Sequence, residues 1–200
     1  LLGFGFGVGF ILLREFLDST IKSIEEIERR GLAILAIIPS IGSTENKSKK
    51  KKKGYRINLK LNNSEKLERR LLTHEDPKSP ISEAYRTLRT SIMYSSSSTD
   101  SDSKVIMVSS PGPGEGKTTT VANLAITYAN LGKKTLLIDA DLRKPVIHKV
   151  FDLEKDRGLT KCIVSDLSYK DIIQTSQIEN LSLISSGINP PNPSELLNSH

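Results

Sequence analysis

Between Ser109 and Thr120 the chain reads SSPGPGEGKTTT, a glycine-rich stretch ending in a lysine and three threonines. Glycine at 112, 114 and 116 lets the backbone turn successive N–H groups inward, an arrangement that cradles phosphate oxygens. Lys117 adds a full positive charge for the β- and γ-phosphates, and the Thr118 hydroxyl is a ligand for magnesium. A helix starting here would add a partial positive charge at its N-terminus. The expected nucleotide-contacting set is Gly112, Gly114, Glu115, Gly116, Lys117, Thr118 and Thr119, and the expected ligand is ATP with Mg2+. Two departures narrow the type of loop. In G-x-x-x-x-G-K-[ST] the first glycine falls on Pro111. The extra lysine of the deviant partitioning-type loop falls on Gly112.

A second chemical feature is the pair Asp139 and Asp141 in DADLRKP. Carboxylates at i and i+2, at the carboxyl end of a parallel strand, face the ligand crevice of an α/β sheet. Beside a phosphate loop they can hold magnesium, and one can take the proton of an attacking hydroxyl. Lys117, Asp139 and Asp141 are the candidate catalytic residues; Thr118, Asp139 and Asp141 are the candidate metal ligands. The competing reading makes Asp139 a helix cap and Asp141 a solvated surface residue. No cluster has zinc spacing, because His74, His148 and His200 are isolated. Cys162, the single cysteine, cannot form an internal disulfide and reads as a small buried apolar side chain.

These residues need elements to position them. Val105–Val108 (VIMV) is expected as a strand feeding the loop, and Val121, Leu124, Ala125, Tyr128 and Leu131 as the apolar face of the helix after it. Thr135–Ile138 is the next strand, with the aspartates at its end, and Leu181–Ser185 a further one. The fold class is α/β: a doubly wound, mostly parallel sheet with a P-loop, incomplete within residues 78–200. Ser79 and Pro80 are a capping residue and a first-turn proline opening an upstream helix. Its apolar face is Ile81, Ala84, Tyr85, Leu88 and Ile92, while Glu83, Arg86 and Arg89 share an arc of roughly 120° elsewhere. Ser95–Ser103 reads as a flexible loop.

Upstream, Leu1–Leu13 carries no charge and resembles the end of a membrane span, which needs about 20 apolar residues. A period-two strand and a signal peptide compete with that reading. Residues 1–14 are assigned to a transmembrane helix, 15–41 to a juxtamembrane helix and strand (the strand at Ala33–Ile38), and 42–77 to a polar, lysine-rich linker. Much of the net charge of +6 sits in the Lys49–Lys53 run. Lysines there favour a cytoplasmic side and attract anionic lipid. Aromatic residues are few and do not interleave with basic ones, so nucleic acid is not an expected partner.

Taken together, SPISEAYRTLRTSI, SSPGPGEGKTTTVANLA, LGKKTLLIDADLRKP and PPNPSELL resemble, in this order, the bacterial tyrosine kinases of the polysaccharide co-polymerase type. GFGVGFILLREFLDSTIKSIEEIERRGLAILAIIP resembles their second transmembrane helix and its cytoplasmic continuation. The resemblance implies an inner-membrane protein whose cytoplasmic domain transfers phosphate from ATP to tyrosines of a neighbouring copy and controls the length of exported polysaccharide. It implies that Asp139 and Asp141 belong to a second Walker motif that binds magnesium and activates the tyrosine. It further implies that Glu83, Arg86 and Arg89 assemble catalytic domains into a ring, and that the export machinery is a partner. A third Walker motif after PPNPSELL, a tyrosine-rich tail, a periplasmic domain and a first membrane helix belong to that family's pattern and are not in these residues. The 200 residues alone are therefore expected to be inactive. Two alternatives stay open: a partitioning or septum-site type membrane ATPase, and a chain-length regulator that binds nucleotide without catalysis.

Overall fold

The computed structural model describes residues 7, 9–10, 14, 16–17, 24–39, 71–97, 105–165 and 167–198. They fall in two units, Leu1–Leu35 and Ala36–His200. In the first unit, Gly7, Gly9, Phe10, Arg14, Phe16 and Leu17 are helical. Helix α1 spans Ile24–Arg29, carries an Arg30–Glu26 ion pair, and is followed by Gly31 at φ 76. A left-handed residue after a helix end is the ordinary stop signal, and glycine adopts it without a Cβ penalty. Most of the expected membrane segment lies outside the described residues. Among those described, no helix is long and apolar enough to cross a membrane. Residues 32–39 carry no regular secondary structure, so the strand expected at Ala33–Ile38 is absent. Its apolar run has no partner ladder among the described residues, and an unpaired strand is not stable by itself. The Lys49–Lys53 run lies outside the described residues.

In the second unit, α2 (Leu72–Glu75) turns sharply into α3 (Pro80–Ser97). Ser79 Oγ accepts the Ser82 N–H at 3.2 Å, the capping bond expected from Ser79–Pro80. Ser82 Oγ donates to the Asp76 carbonyl at 2.6 Å and fixes the corner. Helix α3 continues to Ser97, into the stretch expected to be loop. After the glycine-rich loop comes α4 (Lys117–Ala129), then β1 (Thr135–Ile138). The chain proceeds through α5 (Ile147–Val150), α6 (Leu159–Ser165), α7 (Tyr169–Ile172), β2 (Gln174–Thr175), β3 (Leu181–Ile184) and α8 (Pro193–Leu197).

The sheet order is β1-β3-β2: β1 and β3 are parallel, and β2 adds a two-residue antiparallel edge to β3. Helix α4 lays Ala122, Ile126 and Ala129 against Leu137, Leu181 and Leu183, with Ile147, Val150 and Phe151 closing the core. Period-two alternation puts Leu137 into that core and turns Leu136 and Ile138 out, where they remain 43% and 47% exposed. Covered on one side of β1 and open on the other, the described sheet is α/β with a parallel pair. Val105–Val108, expected as a strand, is not one: it pairs with no described strand, and Val105 and Met107 are each 88% exposed.

Leu183 is fully buried at the centre of the sheet and core. Leu183→Ala is expected to lower unfolding free energy by about 2–5 kcal/mol, measured by urea denaturation followed by circular dichroism.

Candidate phosphate-binding and catalytic site

The loop from Ser109 to Gly116 owes its shape to backbone conformations open to few residues. Gly114 and Gly116 lie at φ 81 and 92, which an L side chain would strain. Gly116 is also the N-cap of α4, and no side chain caps that end. The amides of the first turn are thus left for an anion, which the helix dipole also favours. Lys117 Nζ donates to Ser110 Oγ and to the Gly112 carbonyl, both at 3.1 Å, so its ammonium lies along the inside of the loop. Ser110, which the motif spacing did not single out, orients that ammonium while donating to the same Gly112 carbonyl at 2.9 Å. Glu115 accepts the Gly112 N–H at 3.1 Å and staples the loop from outside.

Gly112, Lys117, Thr118, Asp139 and Asp141 all line one open groove of about 1,980 Å³. Gly114, Glu115 and Gly116 shape the loop without lining the groove, and Thr119 sits half-buried in the first turn of α4. The groove is also lined by Val105–Val108 and by β1.

The aspartates are held by backbone at the end of β1. The parallel ladder continues one step past the strand, where the Asp139 N–H donates to Ile184 O at 2.9 Å. Asp139, only 6% exposed, accepts from the Asp141 N–H through Oδ1 at 3.2 Å. Its Oδ2 accepts from Val146 and Ile147, at 3.3 and 3.1 Å. It therefore does cap α5, as the competing reading of the sequence held, while also lining the groove. Each carboxylate oxygen has more than one lone pair, so the two roles are compatible. Asp141 is half-buried, and its Oδ1 accepts from Arg143 and Lys144 N–H at 3.1 and 2.9 Å. Oxygen donors alone, two carboxylates and a hydroxyl beside a phosphate loop, suit Mg2+, which takes one or two carboxylates together with phosphate and water. Among the described residues no group of three His, Cys, Asp or Glu could hold a metal.

Burial pushes the Asp139 carboxyl above the ordinary aspartate value; the three backbone N–H bonds pull it back in part, and the Asp141 charge adds to the rise. His148, on α5, is pushed below the ordinary histidine value by burial and then by Lys155 and Lys149, with Asp139 opposing in part. Cys162 is half-buried rather than enclosed, with Sγ 3.1 Å from the Leu167 carbonyl.

The Glu83, Arg86 and Arg89 stripe is divided by the fold. Glu83 and Arg86 pair with each other, and Arg86 also donates to Pro77 O at 2.7 Å. Arg89 instead crosses to α4, donating to Thr127 O at 2.7 Å. Thr127 lies in the last turn of α4, where carbonyls lack helical partners and a cation is favoured.

Because folding raises the Asp139 pKa, the folded chain holds that proton more tightly than the unfolded one. The group favours folding below the ordinary aspartate value, and this contribution is lost as pH rises through the folded value. Carboxyl NMR titration of the metal-free chain is expected to give Asp139 a midpoint above that of an ordinary aspartate. Asp141→Asn is expected to lower that midpoint by removing the like charge.

The family profile described as AAA domain matches residues 103–197. Tyrosine-protein kinase YwqD of Bacillus subtilis (strain 168) is 46% identical over 141 residues, covering 70% of this chain and 59% of its own length. Tyrosine-protein kinase ptk of Acinetobacter johnsonii is 35% identical over 202 residues, covering 100% of this chain and 25% of its own. The chain thus spans well under two thirds of these curated relatives. Among solved structures, the kinase domain of Escherichia coli tyrosine kinase ETK superposes with a TM-score of 0.70 at 28% identity, covering 89% of this chain and 64% of that one. With its phosphate loop and paired aspartates in the places described, the chain is similar to the bacterial tyrosine kinases over most of its own length.

Proposed function

We propose that this chain is part of the catalytic domain of a protein-tyrosine kinase that transfers the γ-phosphoryl group of ATP to tyrosines of a neighbouring copy. The observation that carries the reading is the shared groove: Lys117 and Thr118 at the mouth of an uncapped helix line it together with Asp139 and Asp141 at the end of β1. ATP would lie with its phosphates on the first-turn amides. Mg2+, when bound by Thr118, Asp139 and Asp141, would neutralise charge on the transferred group. Lys117 would turn from Ser110 and the Gly112 carbonyl to the phosphate oxygens. Both oxygens of Asp139 accept backbone bonds, whereas those of the less buried Asp141 fall on Oδ1, so its Oδ2 is the better placed acceptor for the tyrosine proton. The phenol oxygen then bonds to the γ-phosphorus as the bond to the ADP oxygen breaks, and the proton passes to the carboxylate.

The wider reading is an inner-membrane protein with a cytoplasmic catalytic domain, controlling synthesis and export of an exopolysaccharide or capsule and meeting anionic lipid through its lysine run. It rests on the resemblance to these kinases and on the sequence upstream of Leu71. The open groove wall, with Leu136, Ile138, Val105 and Met107 exposed, supports a larger doubly wound sheet in which a further apolar strand lies beside β1. A third Walker motif ending in aspartate is the family's candidate for that strand. Relatives named tyrosine-protein kinases favour this reading over a partitioning-type ATPase or a catalytically silent regulator.

Two experiments test it. Given labelled ATP, the full-length parent is expected to acquire phosphotyrosine, and Lys117→Met is expected to abolish it; ATP hydrolysis without phosphotyrosine would refute the kinase assignment. For the ring, Glu83→Ala with Arg86→Ala in the parent is expected to lower oligomer mass in light scattering. Arg89→Ala is expected to cost about 1–3 kcal/mol of stability as well, because it leaves a helix-end carbonyl without its charged donor.

A further inference from the structure

Helix α4 has to begin without a cap, since a side chain on its first amides would stand where phosphate binds. A cap is ordinarily worth about 1 kcal/mol, so that first turn needs restraint from elsewhere. Asn123 supplies a contact of the required kind. It is fully buried in an otherwise apolar stretch (Ala122, Leu124, Ala125, Ile126), although asparagine is a poor helix former and a buried amide is costly without partners. Its Nδ2 donates at 2.8 Å to the carbonyl of Thr119, the residue next to Thr118. Its Oδ1 accepts two bonds from Thr73 on α2: the backbone N–H at 3.0 Å and the hydroxyl at 2.9 Å. Thr73 is itself only 3% exposed. At the residue after Thr119, the Thr120 side chain is the hydrogen-bond partner of the buried Tyr85 hydroxyl of α3.

We infer that Asn123 is a positioning residue for the phosphate loop and that Thr73 is the latch that sets it. Two donors from Thr73 decide which end of the Asn123 amide is the oxygen, and so aim the Nδ2 end at Thr119 O. The restraint falls on the carbonyl side of the first turn, and the amides of Lys117 and Thr118 stay aimed at the anion without being occupied. The latch also connects the site to the segment at Leu71–Glu75, near the end of the stretch (42–77) that the sequence assigned to a lysine-rich linker. A shift of α2 would be felt at the phosphates.

The inference rests on the nucleotide-binding part of the proposed function, so the test reads binding rather than phosphotyrosine. The 200-residue chain is titrated with a fluorescent ATP analogue and Mg2+, at a temperature where circular dichroism shows each variant folded. Thr73→Val is expected to weaken binding about five- to tenfold, the change matching the net worth of one hydrogen bond, while Thr73→Ser stays near wild type. Asn123→Ala is expected to weaken it at least as much, and the double variant no further than Asn123→Ala. Leu183→Ala, destabilised but removing no hydrogen bond of the latch, is expected to keep wild-type affinity. Unchanged affinity in Thr73→Val and Asn123→Ala, or an equal loss in Leu183→Ala, would overturn the latch alone. A wild-type chain that binds no nucleotide would overturn the kinase reading and the latch with it.

Discussion

A helix that grips phosphate must keep its first amides unbonded, so the end most in need of a cap is forbidden one. Much of the second unit can be understood from that constraint. The turn into α4 is made by glycines at positive φ, which bring the chain into the helix without a side chain over its mouth. Lys117 folds back along the loop instead of capping it. Anchorage of α4 is moved elsewhere: to its apolar face on β1 and β3, to the first-turn carbonyl held by Asn123, and to the last turn held by Arg89.

The aspartate side of the groove solves a related problem. Two carboxylates close together repel each other, and burying one raises its pKa. Backbone amides offset part of that cost: Asp139 collects them from its own turn and from the start of α5. Cap and metal ligand therefore need not be rival assignments. The bonds that make Asp139 a cap also keep its charge in place at the end of the parallel ladder.

The likeness to tyrosine kinases and the groove belong together, because the groove is where the relatives' name and this chain's geometry meet. Arg89 illustrates how family analogy and structure differ in what they say. By spacing it shares an arc with Glu83 and Arg86, which the resemblance reads as an assembly stripe; by contact it is a brace between α3 and α4. A helical wheel shows which residues share an arc, but it does not show which neighbour passes beneath that arc.

Local chemistry was legible in the residues themselves. The loop, its lysine and threonine, the Ser79–Pro80 helix start, the Thr135–Ile138 strand and the Gly31 stop each depend on a few adjacent residues and on rules of backbone conformation, and each lies where the sequence placed it. What failed depended on partners. VIMV at 105–108 and the apolar run at 33–38 have strand composition, but a strand exists only with a neighbour to complete its hydrogen bonds, and none lies beside them among the described residues. The tertiary structure alone decided that Asp139 both caps α5 and lines the groove, that Ser110 orients Lys117, and that Asn123 is bonded by a threonine 50 residues earlier. Such contacts join positions distant in the chain, and no periodicity records them; they arise only when packing brings the elements together.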